Sequence, residues 1–304
     1  MTSGTLPPAP FGRVLTAMVT AFDDDGSVDL DGTARVAEHL AGHGHDGVVV
    51  SGTTGESPTT SAEEDGRILR AVLEAVGDRL TVVAGVGTND TAHSVQLAEQ
   101  AEKLGAHGVL LVTPYYNKPT QEGIAAHFGA VAGASGLPVM LYDIPGRTGV
   151  TIAEDTYRRV AEHDRVVAVK DAVGDLCRGV RIMSETGLAY YSGDDVLNLG
   201  WLTHGGCGVV SVVGHVAGDQ YAAMVDAVDR GDLAAALTTY RDLVPVVEAV
   251  MTTAQGAMTA KAAMQLLGVL PNRNVRLPLV PAGDALVAHL RDVLTAAGML
   301  PTHP

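Results

Sequence analysis

Short runs of apolar, largely β-branched residues recur along the chain at Val14–Thr20, Gly47–Val50, Leu80–Val86, Val109–Val112, Val139–Tyr142, Val166–Val169, Ala189–Tyr191 and Val209–Val213. Between most of them the pattern changes to a helical period. In Asp31–Gly42 and Thr91–Gly105, Ala, Leu and Val recur at i, i+3 and i+4 while Glu, Asp and Arg fall on the other face. Strands that are hydrophobic on both faces belong in a parallel sheet. Successive βα units of roughly 20–35 residues then predict a closed (β/α)8 barrel, of the TIM type. The competing open, doubly wound sheet needs a Gly-rich fingerprint opening its first helix, and the chain has none there. After Gly214 the strand pattern stops, and Asp219–Ala297 reads as helix with breaks near Pro245, Pro271, Pro278 and Pro281. The expected organisation is a barrel over residues 1–232 that carries the site, and a C-terminal helical extension over 233–304. The Pro-containing first ten residues read as a loose arm.

Composition narrows the function classes. A 46% hydrophobic content over 304 residues is ample for a core, so disorder is excluded as the main state. The formal charge of −15 repels nucleic acid and anionic membrane surfaces. Two cysteines, Cys177 and Cys207, form neither a disulfide framework nor a zinc spacing, which suits a reduced, cytoplasmic protein. The start lacks a basic stretch followed by an apolar one, and no apolar run reaches the ~18 residues a membrane span needs. The histidines are scattered. His43-Gly44-His45 has a ligand-like spacing but falls in the turn entering the second strand, at the bottom of the barrel, and is read as surface, so no metal site is expected.

In a barrel, catalytic groups sit at the C-terminal ends of the strands, and three such ends carry suggestive residues. Lys170, one of only four lysines, follows Val166-Val167-Ala168-Val169. Burial there would favour its neutral amine, a nucleophile toward carbonyls; alternatively the lysine snorkels from the mouth or neutralises Asp171. Ser51-Gly52-Thr53-Thr54-Gly55-Glu56-Ser57 follows the second strand, where exposed N–H groups and two hydroxyls just before a helix could cradle a carboxylate, or simply cap an ordinary turn. Tyr115, Tyr116 and Tyr142 follow or end the fourth and fifth strands beside Arg147. Their phenols could move protons and the guanidinium could grip a second carboxylate, although tyrosine more often serves as packing. Gly193-Asp194-Asp195 and Gly208-Val209-Val210-Ser211 could line the same mouth.

The motifs GTTGE, TPYYNKP, LYDIPGRTG, VVAVKDA, SGDD and GVVSV occur in this order over about residues 12–215, followed by VRLPLVP at Val275–Pro281. Together they resemble the dihydrodipicolinate synthase branch of the class I pyruvate-aldolase superfamily, which also contains N-acetylneuraminate lyase. The resemblance implies a lyase that condenses pyruvate with L-aspartate 4-semialdehyde to 4-hydroxy-tetrahydrodipicolinate, toward diaminopimelate and lysine, with no metal or organic cofactor. It further implies that Lys170 forms the imine with pyruvate. Tyr142 would be the proton donor and acceptor, linked through Thr53 to Tyr116. Thr54 would hold the pyruvate carboxylate, with a backbone contact from Val210 and room left by Gly193.

In this family the tyrosine matching Tyr115 reaches across to a neighbouring subunit, so at least a dimer is expected, and the family is usually a homotetramer, a dimer of dimers. Arg147 sits where the synthases grip the semialdehyde carboxylate, whereas the sugar-acid and sialic-acid aldolases generally carry other residues there; such a sibling activity is the alternative. A metal-dependent barrel aldolase and a catalytically silent paralogue are further rivals, the first disfavoured by the scattered histidines and the second by the intact set of Thr53, Tyr116, Tyr142 and Lys170. In lysine-inhibited relatives an allosteric pocket uses residues that Asn89 and Tyr115 match, but Ala62, Asp65 and His93 depart from it. Weak or no inhibition by L-lysine is the expectation.

Overall fold

The computed structural model describes residues 8–300. The first seven residues of the expected N-terminal arm, and the last four of the extension, lie outside the described residues. Eight strands alternate with helices: β1 (Val14–Ala17), α1 (Leu30–Ala41), β2 (Gly47–Val50), α2 (Ala62–Val76), β3 (Thr81–Gly85), α3 (Thr91–Leu104), β4 (Gly108–Val112), α4 (Gln121–Ala132) and β5 (Val139–Asp143). Two short helices, α5 (Pro145–Thr148) and α6 (Glu154–Val160), precede β6 (Val166–Asp171); then come α7 (Leu176–Thr186), β7 (Ala189–Ser192), α8 (Asn198–Thr203), β8 (Gly208–Ser211) and α9 (Gly214–Asp229). Every strand pairs in parallel with its sequence neighbours, and β8 closes on β1 to form the (β/α)8 barrel. Three further helices, α10 (Leu233–Met251), α11 (Gly256–Leu266) and α12 (Asp284–Ala296), follow.

Local chemistry sets the boundaries. Asp29, Asp90 and Asp175 cap α1, α3 and α7 through their carboxylates, and Ser61 with Glu64 forms a reciprocal capping box on α2. Two strands, β1 and β8, stop two or three residues before the ends of their apolar runs. The Val19 N–H donates to Nε2 of His215, and the N–H groups of Val212 and Val213 donate to the Asp195 carboxylate. Side chains have taken over donors that a longer ladder would have used. Pro245 does not break its helix either: it lies inside α10. Pro245 and Arg241, whose carbonyl loses its N–H partner, are both exposed, so water can serve that oxygen.

The core is layered. One cluster lies between the strands and α1–α4, α6 and α7. A second fills the barrel with Leu15, Val49, Val83, Leu110, Met140, Tyr142, Ala168, Tyr191 and Val210. Phe11 belongs to that interior cluster, and its backbone N–H donates to the Tyr191 hydroxyl. Gly108 opens β4 because a Cβ there would come within 2.4 Å of the Phe11 ring. A third cluster joins α9, α10 and α12.

The expectation that His43-Gly44-His45 is surface needs correction. His43 is exposed, but His45 is buried, with Nε2 against the Thr16 hydroxyl and Nδ1 against backbone carbonyls. His215 is buried as well; its Nε2 accepts from Val19 N–H, so its Nδ1 carries the proton toward the Val212 carbonyl. Burial pushes the pKa of each down to about 4. The folded chain therefore binds fewer protons than the unfolded one between pH ~6.5 and ~4, and these groups withdraw stability as pH falls through that window. A His215→Gln variant is expected to lose up to about 1.4 kcal/mol per pH unit of the acid slope of unfolding free energy. Urea titrations at pH 7, 6 and 5 check this; slopes identical to the native chain contradict it.

Candidate active site

Strand alternation builds the site. On β5 and β6, Tyr142 pairs in register with Lys170 and Asp143 with Asp171. Successive side chains point to opposite faces, so Tyr142 and Lys170 enter the barrel while Asp143 and Asp171 point to the helical layer. Asp171 accepts from the N–H groups of Val173 and Gly174, and Asp143 accepts from Thr151, the Ile152 N–H and Tyr157. Among the described residues no ion pair joins Lys170 to Asp171, which removes the neutralising role considered for that lysine.

Lys170 is only 4% exposed, and its Nζ stands 4.4 Å from the centre of the Tyr142 ring. Burial penalises the ammonium and pushes its pKa down to about 8; the Asp195 carboxylate opposes the shift and Arg147 adds to it. Tyr142 is buried as well, and burial pushes its phenol up to about 12, so it stays protonated near neutral pH. A partly neutral amine thus faces a phenol that can give up a proton and take it back. Gly193 is required by geometry: a Cβ there would lie 2.8 Å from Cγ of Lys170 and 2.9 Å from the Asp171 carbonyl oxygen.

These side chains open on a cleft of about 1210 Å³ at the C-terminal ends of the strands. Thr53, Thr54, Tyr115, Tyr116, Arg147 and Gly193 line it along with Tyr142 and Lys170. Thr53 and Thr54 sit in a turn closed by Glu56 N–H to the Thr53 carbonyl and Ser57 N–H to the Gly52 carbonyl. The helix expected directly after this turn begins only at Ala62, behind the short 3₁₀ segment Ser57–Thr59 and its own cap Ser61. The turn's N–H groups and hydroxyls, rather than a helix dipole, are what it offers an anion.

Two expected residues stand apart from the cluster. Val210 lies within the barrel interior and is not a wall of the cleft. Tyr116 is 87% exposed, with its backbone in the left-handed region (φ 72°), and within one chain no hydrogen bond joins it to Thr53. Arg147, on α5, is exposed at the mouth and forms no ion pair among the described residues. Motif reasoning gave little weight to Asp195. This buried carboxylate accepts from Ser211, Asn198, Tyr221 and two backbone N–H groups, and thereby fixes the end of β8 behind Lys170. The only signal for it in the sequence was its place just after the seventh strand.

A closed parallel barrel with a desolvated amine at the mouth defines the class: a barrel enzyme equipped for carbonyl substrates. The chain belongs to the dihydrodipicolinate synthetase family, whose model matches residues 10–297. It is 60% identical over 295 residues to the 4-hydroxy-tetrahydrodipicolinate synthase of Kineococcus radiotolerans, covering 97% of this chain and 96% of that protein. The identity to the enzyme of the same name from Acidothermus cellulolyticus is 59% over 294 residues, covering 97% and 95%. Among solved structures, dihydrodipicolinate synthase from Cyanidioschyzon merolae with lysine bound superposes with a TM-score of 0.93 at 41% identity, covering 96% of this chain and all of that one.

The amine's titration is directly measurable. Competitive acylation read on the Lys170 peptide is expected to rise about tenfold between pH 7 and 9 and then level off, as a group with pKa about 8 requires. A lysine with an ordinary value near 10.4 would instead gain ~100-fold over the same interval without a plateau, which contradicts the assignment.

Proposed function

We propose that this chain condenses pyruvate with L-aspartate 4-semialdehyde to 4-hydroxy-tetrahydrodipicolinate, working in the direction of diaminopimelate and lysine. The observation that carries this reading is the Lys170 amine, buried against Tyr142 and opening on a cleft that also holds Thr53, Thr54 and Arg147. Neutral Lys170 attacks C2 of pyruvate, and water leaves to give the imine. Loss of a C3 proton gives the enamine, whose C3 bonds to the aldehyde carbon of the second substrate. The amino group of that substrate then attacks C2, closing the ring and releasing the Lys170 amine. Tyr142 carries protons to and from the carbinolamine, and Thr54 with the turn's N–H groups receives the pyruvate carboxylate.

Arg147 favours this reading over a sugar-acid or sialic-acid substrate, because an unpaired guanidinium at the mouth matches a short substrate with a carboxylate at its far end. The relay through Thr53 to Tyr116 is not closed within one chain. The resemblance assigns the crossing to Tyr115, but the exposed, left-handed Tyr116 is the residue better placed for a contribution across a subunit interface, and a homotetramer, a dimer of dimers, is the assembly proposed. Feedback control by L-lysine is proposed to be weak or absent, given Ala62, Asp65 and His93.

Borohydride reduction in the presence of pyruvate is expected to add the reduced three-carbon unit to the peptide bearing Lys170, with no such adduct in Lys170→Ala. An adduct on another lysine, or an undiminished turnover in that variant, contradicts the mechanism. Arg147 is exposed before substrate arrives, so Arg147→Ala is expected to cost about 2 kcal/mol, ~30-fold in kcat/KM for the semialdehyde, with pyruvate trapping unchanged. Steady-state kinetics with each substrate varied in turn checks this, and equal losses for both substrates contradict it.

A further inference from the structure

Outside the catalytic cleft the chain buries a second lysine. Lys261 lies on α11 in an alanine-rich stretch, Ala257-Met258-Thr259-Ala260-Lys261-Ala262-Ala263, and its side chain is 1% exposed. Its Nζ donates to Oε1 of Glu56 at 2.5 Å and to the Asn274 carbonyl at 2.7 Å, and stands 4.1 Å from the centre of the buried Phe22 ring. Glu56 is the last residue of the GTTGE turn; its side chain is 2% exposed and its backbone is left-handed, with φ 60°. Its second oxygen accepts from the Arg276 N–H at 2.9 Å, while the Arg276 guanidinium pairs with Glu64 and packs 4.5 Å from the same Phe22 ring. One carboxylate thus ties the turn to both α11 and the segment that follows it.

A buried ion pair is a poor way to gain stability, because desolvation offsets most of the attraction and an apolar pair of similar volume does as well. What it supplies is direction: two charge-assisted bonds hold the carboxylate in one orientation. The same Glu56 gives its N–H to the Thr53 carbonyl, so the side chain that meets Lys261 and the backbone that shapes the turn belong to one residue. A non-glycine residue in the left-handed region persists only where its surroundings hold it.

We propose that Lys261 and Glu56 are positioning residues for the carboxylate-binding turn: the helical extension reaches under the GTTGE loop and sets Thr53 and Thr54 for the keto acid. This inference rests on the reading of Lys170 as the pyruvate-binding amine. It gives the C-terminal extension a part in substrate recognition although none of the clamp residues lines the cleft.

The test measures half-saturation for pyruvate in borohydride trapping at Lys170, together with the melting temperature. The native chain is compared with Lys261→Met and with the double variant Glu56→Gln/Lys261→Met, which removes both charges and remains informative if the single variant is too unstable to purify. Expected are a pyruvate half-saturation raised tenfold or more in both variants, an unchanged maximal extent of trapping, and recovery of most of the lost melting temperature in the double variant. Two outcomes overturn the inference. One is native half-saturation in a folded variant. The other is recovery of half-saturation and melting temperature together in the double variant, which marks a purely structural pair. A native chain that forms no pyruvate adduct overturns the underlying reading and this inference with it, so the two failures are told apart by the native control.

Discussion

The site depends on the cost of placing a cation in a barrel. Lys170 emerges from a strand whose neighbours are apolar and is sealed on one side by the Tyr142 ring, so its ammonium gives up water that nothing nearby fully replaces. The burial that disfavours the charge is what produces a nucleophile near neutral pH. Asp195 keeps the shift moderate: its carboxylate draws the pKa back up while its own charge is spread over donors from β8, α8 and α9. For the proposed imine route, an amine with a pKa of about 8 would be neutral often enough to attack and protonated often enough to leave as the product departs.

Barrel geometry turns that balance into a site. Parallel register sets Tyr142 beside Lys170, and alternation sends the two aspartates that follow them into the outer layer, away from the amine. Gly193 on the neighbouring connection leaves space for the lysine stem, and the turn after β2 brings two hydroxyls to the same cleft. The helices that follow the last strand contribute in another way, by holding that turn from beneath through Lys261 and Glu56. The site is thus braced by parts of the chain that are far apart in sequence.

Much of this was legible in the residues. The apolar runs located all eight strands, because strands buried on both faces leave a contiguous signal, and Lys170 was conspicuous as a rare lysine ending such a run. What escaped depended on contacts across the fold. His45 and His215 are buried where α9 packs on β1 and against α1, which no local pattern reports. Pro245 is tolerated because it falls on an exposed helix face. Lys261 did leave a trace, a single charge among alanines, but its partner Glu56 lies more than two hundred residues earlier in the chain. Tyr116 illustrates the opposite limit: its motif was plain, yet one chain alone leaves it facing outward.

A crystal structure of the chain soaked with pyruvate tests the central claim most directly. The account predicts continuous density from Nζ of Lys170 to C2 of the keto acid, with the carboxylate seated on the turn of Thr53 and Thr54 and the Tyr142 hydroxyl within hydrogen-bond reach of the imine. Pyruvate bound without a covalent link, or a Lys170 side chain turned into solvent while the substrate lies elsewhere in the cleft, would contradict it.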